Sequence, residues 1–335
     1  MAKNLLLFLA SLLTAFLIGE VGSRLIFPIQ YGHKSYAMDG KTKVSIAAND
    51  LEMVPDLTYR QIAEEFDKVT THTSLGFRGP SNPSSPSILF IGDSMTYGVG
   101  LADNETIPYL YCEARDEECV NLGHPGTSTI RQLDILEHYL QTQSWRPHQV
   151  IIMPMVMTAT MMGGNDLADN LRDQRKASQS SNALTRQPAQ TAAEPRAGIF
   201  KTVLDQRQWI LERFNLVRVV YYILGPTIRS TLSPARDEEE LRRALDLMCR
   251  QMARLDAIAK NYEFEYTVAL LHPMQDLMNG TYTQTLESIR AISPIPETVI
   301  STAESLLTEQ DPKRFYYALD GHLNVEGARR VAGHL

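Results

Sequence analysis

The chain predicts an α/β fold, a parallel sheet covered by helices on both faces. Short runs of consecutive apolar residues, the pattern of strands buried on two sides, recur at residues 87–91, 120–122, 150–153 and 264–271. Stretches with apolar residues at helical spacing separate them, as at Leu133, Leu136 and Leu140. Each run ends in turn-forming residues, among them Gly92-Asp93, Gly123-His124-Pro125-Gly126 and His272-Pro273. Strands that alternate with helices in this way pair in parallel, and the chemistry of such sheets gathers at the carboxyl ends of the strands.

From the amino end, residues 5–19 are almost purely apolar and follow Lys3. At 1.5 Å per residue this run covers roughly 23 Å, and extending it through Val21, Leu25 and Ile26 would cross a ~30 Å hydrocarbon layer. The segment reads as an export signal, either retained as an anchor or cut after small residues near Val21-Gly22-Ser23, with the retained anchor preferred. Residues 1–27 are therefore expected at the membrane and the remainder on its exported side, periplasmic or extracellular. Residues 28–80 show no clean period and are expected to form a membrane-proximal stalk packed on the main domain, residues 81–335.

Within that domain, 87–91 is the first strand and about 104–115 a helix. Residues 120–122 form the second strand, about 129–141 a helix, and 150–153 the third strand. Pro154 cannot donate to a central ladder, so the third strand is expected to bulge or stop there. Residues 171–198, rich in Ser, Gln, Ala, Thr and Arg, read as a mobile surface insertion. Helical patterns resume at about 200–223. Residues 238–260 form the clearest helix, with Leu241, Leu245, Met248, Met252 and Leu255 on one face. Cys249 within it is expected to be a buried free thiol.

The 335 residues are 44% hydrophobic and 21% charged, enough to bury a core. A net charge of −7 disfavours a nucleic-acid binder, which needs a basic surface. Three cysteines are too few for a disulfide scaffold and too scattered for a structural zinc site. Export would allow Cys112 and Cys119 to pair.

The first strand empties into Gly92-Asp93-Ser94, which holds a serine at a strand end on a tight turn. A neutral serine is a poor nucleophile and needs a base within reach. The candidate base is His322, two positions after Asp320, in Asp320-Gly321-His322. Nucleophile, base and orienting carboxylate then follow in the chain order Ser94, Asp320, His322. His124 and His272, each just past a strand, could border the cleft, although a packed structural role is the commoner fate of such residues.

These residues, together with Gly126 and Gly163-Gly164-Asn165-Asp166, resemble the ordered sequence blocks of the SGNH (GDSL) hydrolases, and in particular their exported, membrane-anchored branch. The resemblance covers about residues 70–335. It implies a flavodoxin-like three-layer α/β/α sandwich that works without metal or organic cofactor. It further implies that Ser94 is the nucleophile and that the Ser94 N–H, the Gly126 N–H and the Asn165 side-chain amide line an oxyanion hole. Asp93 and Asp166 would support the site through structural hydrogen bonds. The activity implied is hydrolysis of an O-acyl ester on an envelope glycan, an acetylated sugar or a lipid. The same triad would serve an O-acyltransferase that delivers the acyl group to a polysaccharide. A degenerate envelope scaffold is a third possibility, kept open by the residues between Pro154 and Gly163.

Overall fold

The computed structural model describes residues 2–26, 33–157, 166–185, 210, 213–220, 238–307 and 311–335. The chain divides into two compact units, Met1–His33 with Arg186–Ser233, and Lys34–Thr185 with Pro234–Leu335.

In the first unit, α1 (Ala2–Ile26) is a single helix, and by length and composition its Leu7–Ile26 stretch can cross a membrane. From residue 7 onward its leucines and Phe8 are exposed. Glu20 differs. Its carboxylate is buried, pairs with Arg24 at 2.7 Å, and accepts the backbone N–H groups of Asn215 and Leu216, each at 2.8 Å. Those two donors open a helical turn at residues 215–220, so Glu20 caps that turn from another segment.

The second unit holds two sheets. The smaller is antiparallel, in the order β1 (Lys34–Tyr36), β2 (Thr58–Ile62), β3 (Asp67–Thr71). Sequence periodicity hides it because its strands are short and only half-buried. The larger sheet is parallel throughout. It contains β4 (Ile88–Gly92), β5 (Cys119–Asn121), β6 (Gln149–Met153), β7 (Glu265–Leu270) and β8 (Val299–Ser301), in the order β5-β4-β6-β7-β8. The first four of these strands fall where the apolar runs predict. The three-residue β8 carries too short a run to announce itself.

Alternation along the strands sorts the core into two layers. Leu89, Ile91, Val150, Ile152, Val268 and Leu270 face α4 (Thr129–Thr142) and α6 (Glu238–Tyr262). Ile88, Phe90, Ile151, Met153 and Ala269 face α3 (Ile107–Glu113) and α10 (Val325–His334). The expected three-layer sandwich is therefore the fold. All five residues of β4 are buried, as its interior place between β5 and β6 demands.

Three expectations are corrected. The front of the supposed insertion, 171–185, continues α5 (Asp166–Thr185), whose Leu167 and Leu171 enter the core and whose Arg175 meets Glu240 of α6 at 2.8 Å. These tertiary contacts override its polar composition. The rest of that segment, 186–198, lies outside the described residues. The helix expected at about 104–115 is shorter, because Pro108 sets its first turn and Thr106 caps it. Cys249 is exposed, on the outer face of α6. Strand β6 does end before Pro154, as expected, and one parallel bridge, Met155 to Leu271, follows.

Cys112 and Cys119 are disulfide-bonded, with a Cα separation of 6.2 Å that lies within the ordinary range. The bridge ties the end of α3 to the start of β5.

Arg78 joins the two sheets. Its guanidinium is almost wholly buried, pairs with Asp103 at 2.8 Å, and donates to the carbonyls of Leu101 at 2.8 Å and Tyr97 at 3.2 Å. Asp103 also accepts the Thr71 N–H of β3 at 3.2 Å. Arg78→Met should lower unfolding stability in urea by about 3 kcal/mol, since it strands the Asp103 carboxylate and the bonds to the Leu101 and Tyr97 carbonyls. An unchanged midpoint would show that these bonds contribute nothing net.

Candidate active site

Strand β4 delivers Ser94 as the first residue of α2 (Ser94–Tyr97). Asp93 caps that turn, its carboxylate accepting the Met95 N–H at 2.9 Å. The turn is packed tightly enough to fix the serine. A Cβ on Gly123 would lie 2.3 Å from the Tyr97 nitrogen, so only glycine lets the β5 loop pass this close. Asn121, at the end of β5, donates to the Thr96 carbonyl at 3.0 Å and accepts the Gly123 N–H at 2.9 Å.

The other half of the site comes from the turn before α10. Tyr317 and His322 close it with backbone bonds: the Tyr317 N–H reaches the His322 carbonyl at 2.8 Å, and the Gly321 N–H reaches the Tyr317 carbonyl at 2.9 Å. Gly321 sits at φ +86°, a conformation that favours glycine. This turn presents His322 to Ser94, with Nε2 and Oγ 2.8 Å apart, across 228 positions of sequence. On the other side of the ring, Nδ1 donates to Asp320 Oδ1 in a close contact. An ionised carboxylate only accepts, so Nδ1 carries the proton and Nε2 is the acceptor for the serine hydroxyl. The imidazole stays 18% exposed while the Asp320 carboxylate is 6% exposed, which leaves the ring reachable and the carboxylate shielded.

Gly126 lies on the loop after β5, at the same end of the sheet as Ser94, exposed and at φ +77°. Asn165, and Gly163-Gly164 before it, lie outside the described residues. Asp166 is described and buried. Its backbone N–H donates to the Met155 carbonyl at 2.8 Å, and its carboxylate accepts the Met155 N–H at 2.7 Å and the Thr129 hydroxyl at 3.0 Å. It thereby pins the start of α5 to the end of β6 and to α4.

Burial pushes the Asp93 carboxyl up to about 6 against the opposing Met95 N–H. Burial, and then the Asp93 charge, push Asp166 well above the ordinary carboxylate range. Among the described residues a third titratable group, His72, moves the other way. Burial lowers it to about 4, so it is neutral. Its Nδ1 donates to the Val54 carbonyl at 2.7 Å, and its Nε2 accepts from the Tyr97 hydroxyl at 2.6 Å. The Tyr97 hydroxyl in turn takes the Tyr59 hydroxyl proton, at 2.6 Å. Through this relay the small sheet grips the last residue of the Ser94 turn. Sequence reading misses it, because Tyr59 and His72 carry no local motif.

The two histidines that follow strands in the sequence, His272 and His124, have separate fates. His272 accepts or donates at both nitrogens, to Asp276 at 2.9 Å and Ser301 at 2.8 Å. The residue types match those around Ser94, but the His272 and Asp276 side chains are 0% and 1% exposed, so the set is sealed and joins the ends of β7 and β8. His124 is buried and lines a small cavity with Met53, Leu122 and Tyr139.

No family model matches the chain, and no curated protein sequence matches it. Among solved structures it is similar to a candidate lipolytic protein of the G-D-S-L family from Desulfitobacterium hafniense, with 11% identity, coverage of 74% of this chain and 95% of that one, and a TM-score of 0.35. It is similar to a carbohydrate esterase family 2 enzyme with its carbohydrate-binding domain from Corynascus, with 14% identity, coverage of 79% and 68%, and a TM-score of 0.38. A third similarity is to a variant acetyl-xylooligosaccharide esterase from Geobacillus, with 15% identity, coverage of 75% and 93%, and a TM-score of 0.34. At these identities the site stands on its own geometry.

The buried carboxyl and imidazole impose opposite pH dependences. Asp93 is raised on folding, so its contribution to stability is full below about 4 and is lost as pH climbs through about 6. His72 is depressed, so its contribution is full above about 6.5 and is lost as pH falls toward 4. Asp93→Asn keeps an acceptor for Met95 but removes the first effect. Its melting temperature should therefore fall more between pH 7.5 and pH 5 than that of the wild type. Equal falls would show that Asp93 titrates as an ordinary carboxylate.

Proposed function

We propose that the chain is a serine ester hydrolase of the SGNH type, acting on an O-acyl ester through an acyl-enzyme. One observation carries the reading: Ser94, His322 and Asp320 stand in hydrogen-bonded sequence at the carboxyl end of β4. That end lies where β5 and β6 depart from β4 in opposite directions, the crevice in which open parallel sheets bind ligands.

In this mechanism Ser94 Oγ attacks the acyl carbonyl as its proton passes to His322 Nε2. Asp320 holds the ring and stabilises the imidazolium that forms. The carbonyl oxygen becomes an oxyanion, met by the N–H groups of Ser94 and Gly126 and by the Asn165 amide. Each donor of this kind lowers the barrier by about 2.7–4 kcal/mol. His322 then returns the proton to the leaving alcohol, whose C–O bond breaks. A water molecule, deprotonated by the same imidazole, releases the acid and regenerates Ser94. The chemistry requires no metal or organic cofactor.

The disulfide and the long apolar α1 support an exported enzyme held at a membrane, because disulfides persist in oxidising compartments. Its substrates would then be acyl esters of the envelope, on glycan, acetylated sugar or lipid.

The full chain in detergent should hydrolyse p-nitrophenyl acetate and take a fluorophosphonate label on Ser94. Ser94→Ala should lose the label and roughly 10⁴-fold or more in kcat. Equal rates in the two proteins would falsify the assignment of the nucleophile.

A further inference from the structure

The turn that carries Asp320 and His322 is gripped from outside by a carboxylate that no sequence motif marks. Glu65 sits in the tight turn between β2 and β3, where the Ala63 N–H closes on the Phe66 carbonyl at 2.9 Å. Its two oxygens accept three consecutive backbone N–H groups of the catalytic turn: Ala318 at 2.6 Å, Leu319 at 2.8 Å and Asp320 at 2.9 Å. The neighbouring contacts fix the approach. The Phe66 ring lies 4.8 Å from the Tyr317 ring, and the Tyr317 hydroxyl donates to the Gly100 carbonyl at 2.8 Å. Gly100 donates its own N–H to Gln61 of β2 at 3.1 Å. Glu65 is half-buried, whereas Glu64 beside it is exposed and makes no such contact among the described residues.

Three successive N–H groups converging on one point form an anion-binding concavity. Some acceptor must fill it, since unpaired donors of this kind are costly. The nearest alternative anion in the sequence is the Asp320 carboxylate, attached to the same turn. If it turned back onto these donors it would leave His322 Nδ1 without its orienting partner.

We propose that Glu65 is a positioning residue for catalysis. By occupying the concavity of the catalytic turn, it keeps the Asp320 carboxylate aimed at His322. The β2–β3 turn thus acts on the His322 side of the site through this side chain, with no contact to substrate. The proposal rests on the assignment of Ser94, His322 and Asp320 given above.

The full chain in detergent tests it by steady-state kinetics on p-nitrophenyl acetate. In Glu65→Ala, kcat should fall about 100-fold with KM within about twofold of wild type, because substrate contacts are untouched while proton transfer loses its alignment. Added sodium formate, a small carboxylate, should restore at least about tenfold of that loss by filling the concavity, and should leave wild type unchanged. Glu65→Gln, with one acceptor oxygen and no charge, should fall between the two. A Glu65→Ala enzyme with kcat within about threefold of wild type overturns the proposal, and so does a loss that formate leaves untouched. If the alanine variant does not fold, the glutamine variant is judged by the same two criteria. Amide exchange of residues 318–320 gives a readout independent of turnover: slow in wild type, fast in Glu65→Ala, and slow again in formate. Wild-type protein that neither turns over nor labels would sink the hydrolase reading alone. The exchange rates would still decide whether Glu65 holds the turn, with equal rates in wild type and alanine variant counting against it.

Discussion

A hydroxyl and an imidazole 228 positions apart must meet at hydrogen-bond distance, and the molecule is organised around that meeting. Neither partner can hold the other in place. One hydrogen bond contributes about 1 kcal/mol net, far less than the entropy of ordering two loops. The alignment has to come from the frames that carry each side chain. Ser94 directly follows β4, an interior strand of the parallel sheet whose residues are all buried. His322 rides on a turn closed by its own backbone bonds and anchored to α10, whose first turn is capped by Asn324 accepting the Gly327 N–H at 3.1 Å.

The small antiparallel sheet reaches both frames. Tyr59 and His72 grip Tyr97 at the end of the Ser94 turn, and Arg78 holds the carbonyls of Tyr97 and Leu101. The β2–β3 turn meets the catalytic turn through Phe66 and Tyr317. These contacts are buried and directional, so a rigid-body shift of the small sheet would be felt on both sides of the site. These contacts go further than the stalk packed on the main domain that the sheet's irregular sequence suggests.

What could be read from the sequence follows from which interactions are local. The strands β4, β6 and β7 were legible because burial on two faces forces uninterrupted apolar runs. The long α6 was legible because its core face repeats at helical spacing. The Gly-Asp-Ser turn and the Asp-Gly-His turn were legible because tight backbone geometry restricts residue choice. The antiparallel sheet was not, since strands of three to five half-buried residues carry no period. The helical start of 171–185 was missed because its stability comes from Leu167, Leu171 and Arg175 packing on distant helices, while its own composition is polar. Arg78, His72 and Glu65 were invisible for a related reason: a side chain whose partners lie tens to hundreds of residues away leaves no mark on its neighbours.

One feature of the apolar helix bears on how the protein can be handled. Glu20 is the acceptor for two main-chain donors, at Asn215 and Leu216. A truncation that starts after residue 26 deletes that acceptor and leaves the Asn215 and Leu216 amides, at the head of the 215–220 turn, without it. Water or a new neighbour would have to take its place. A shortened form that keeps residue 20, or that removes 215–220 together with α1, leaves neither half without the other.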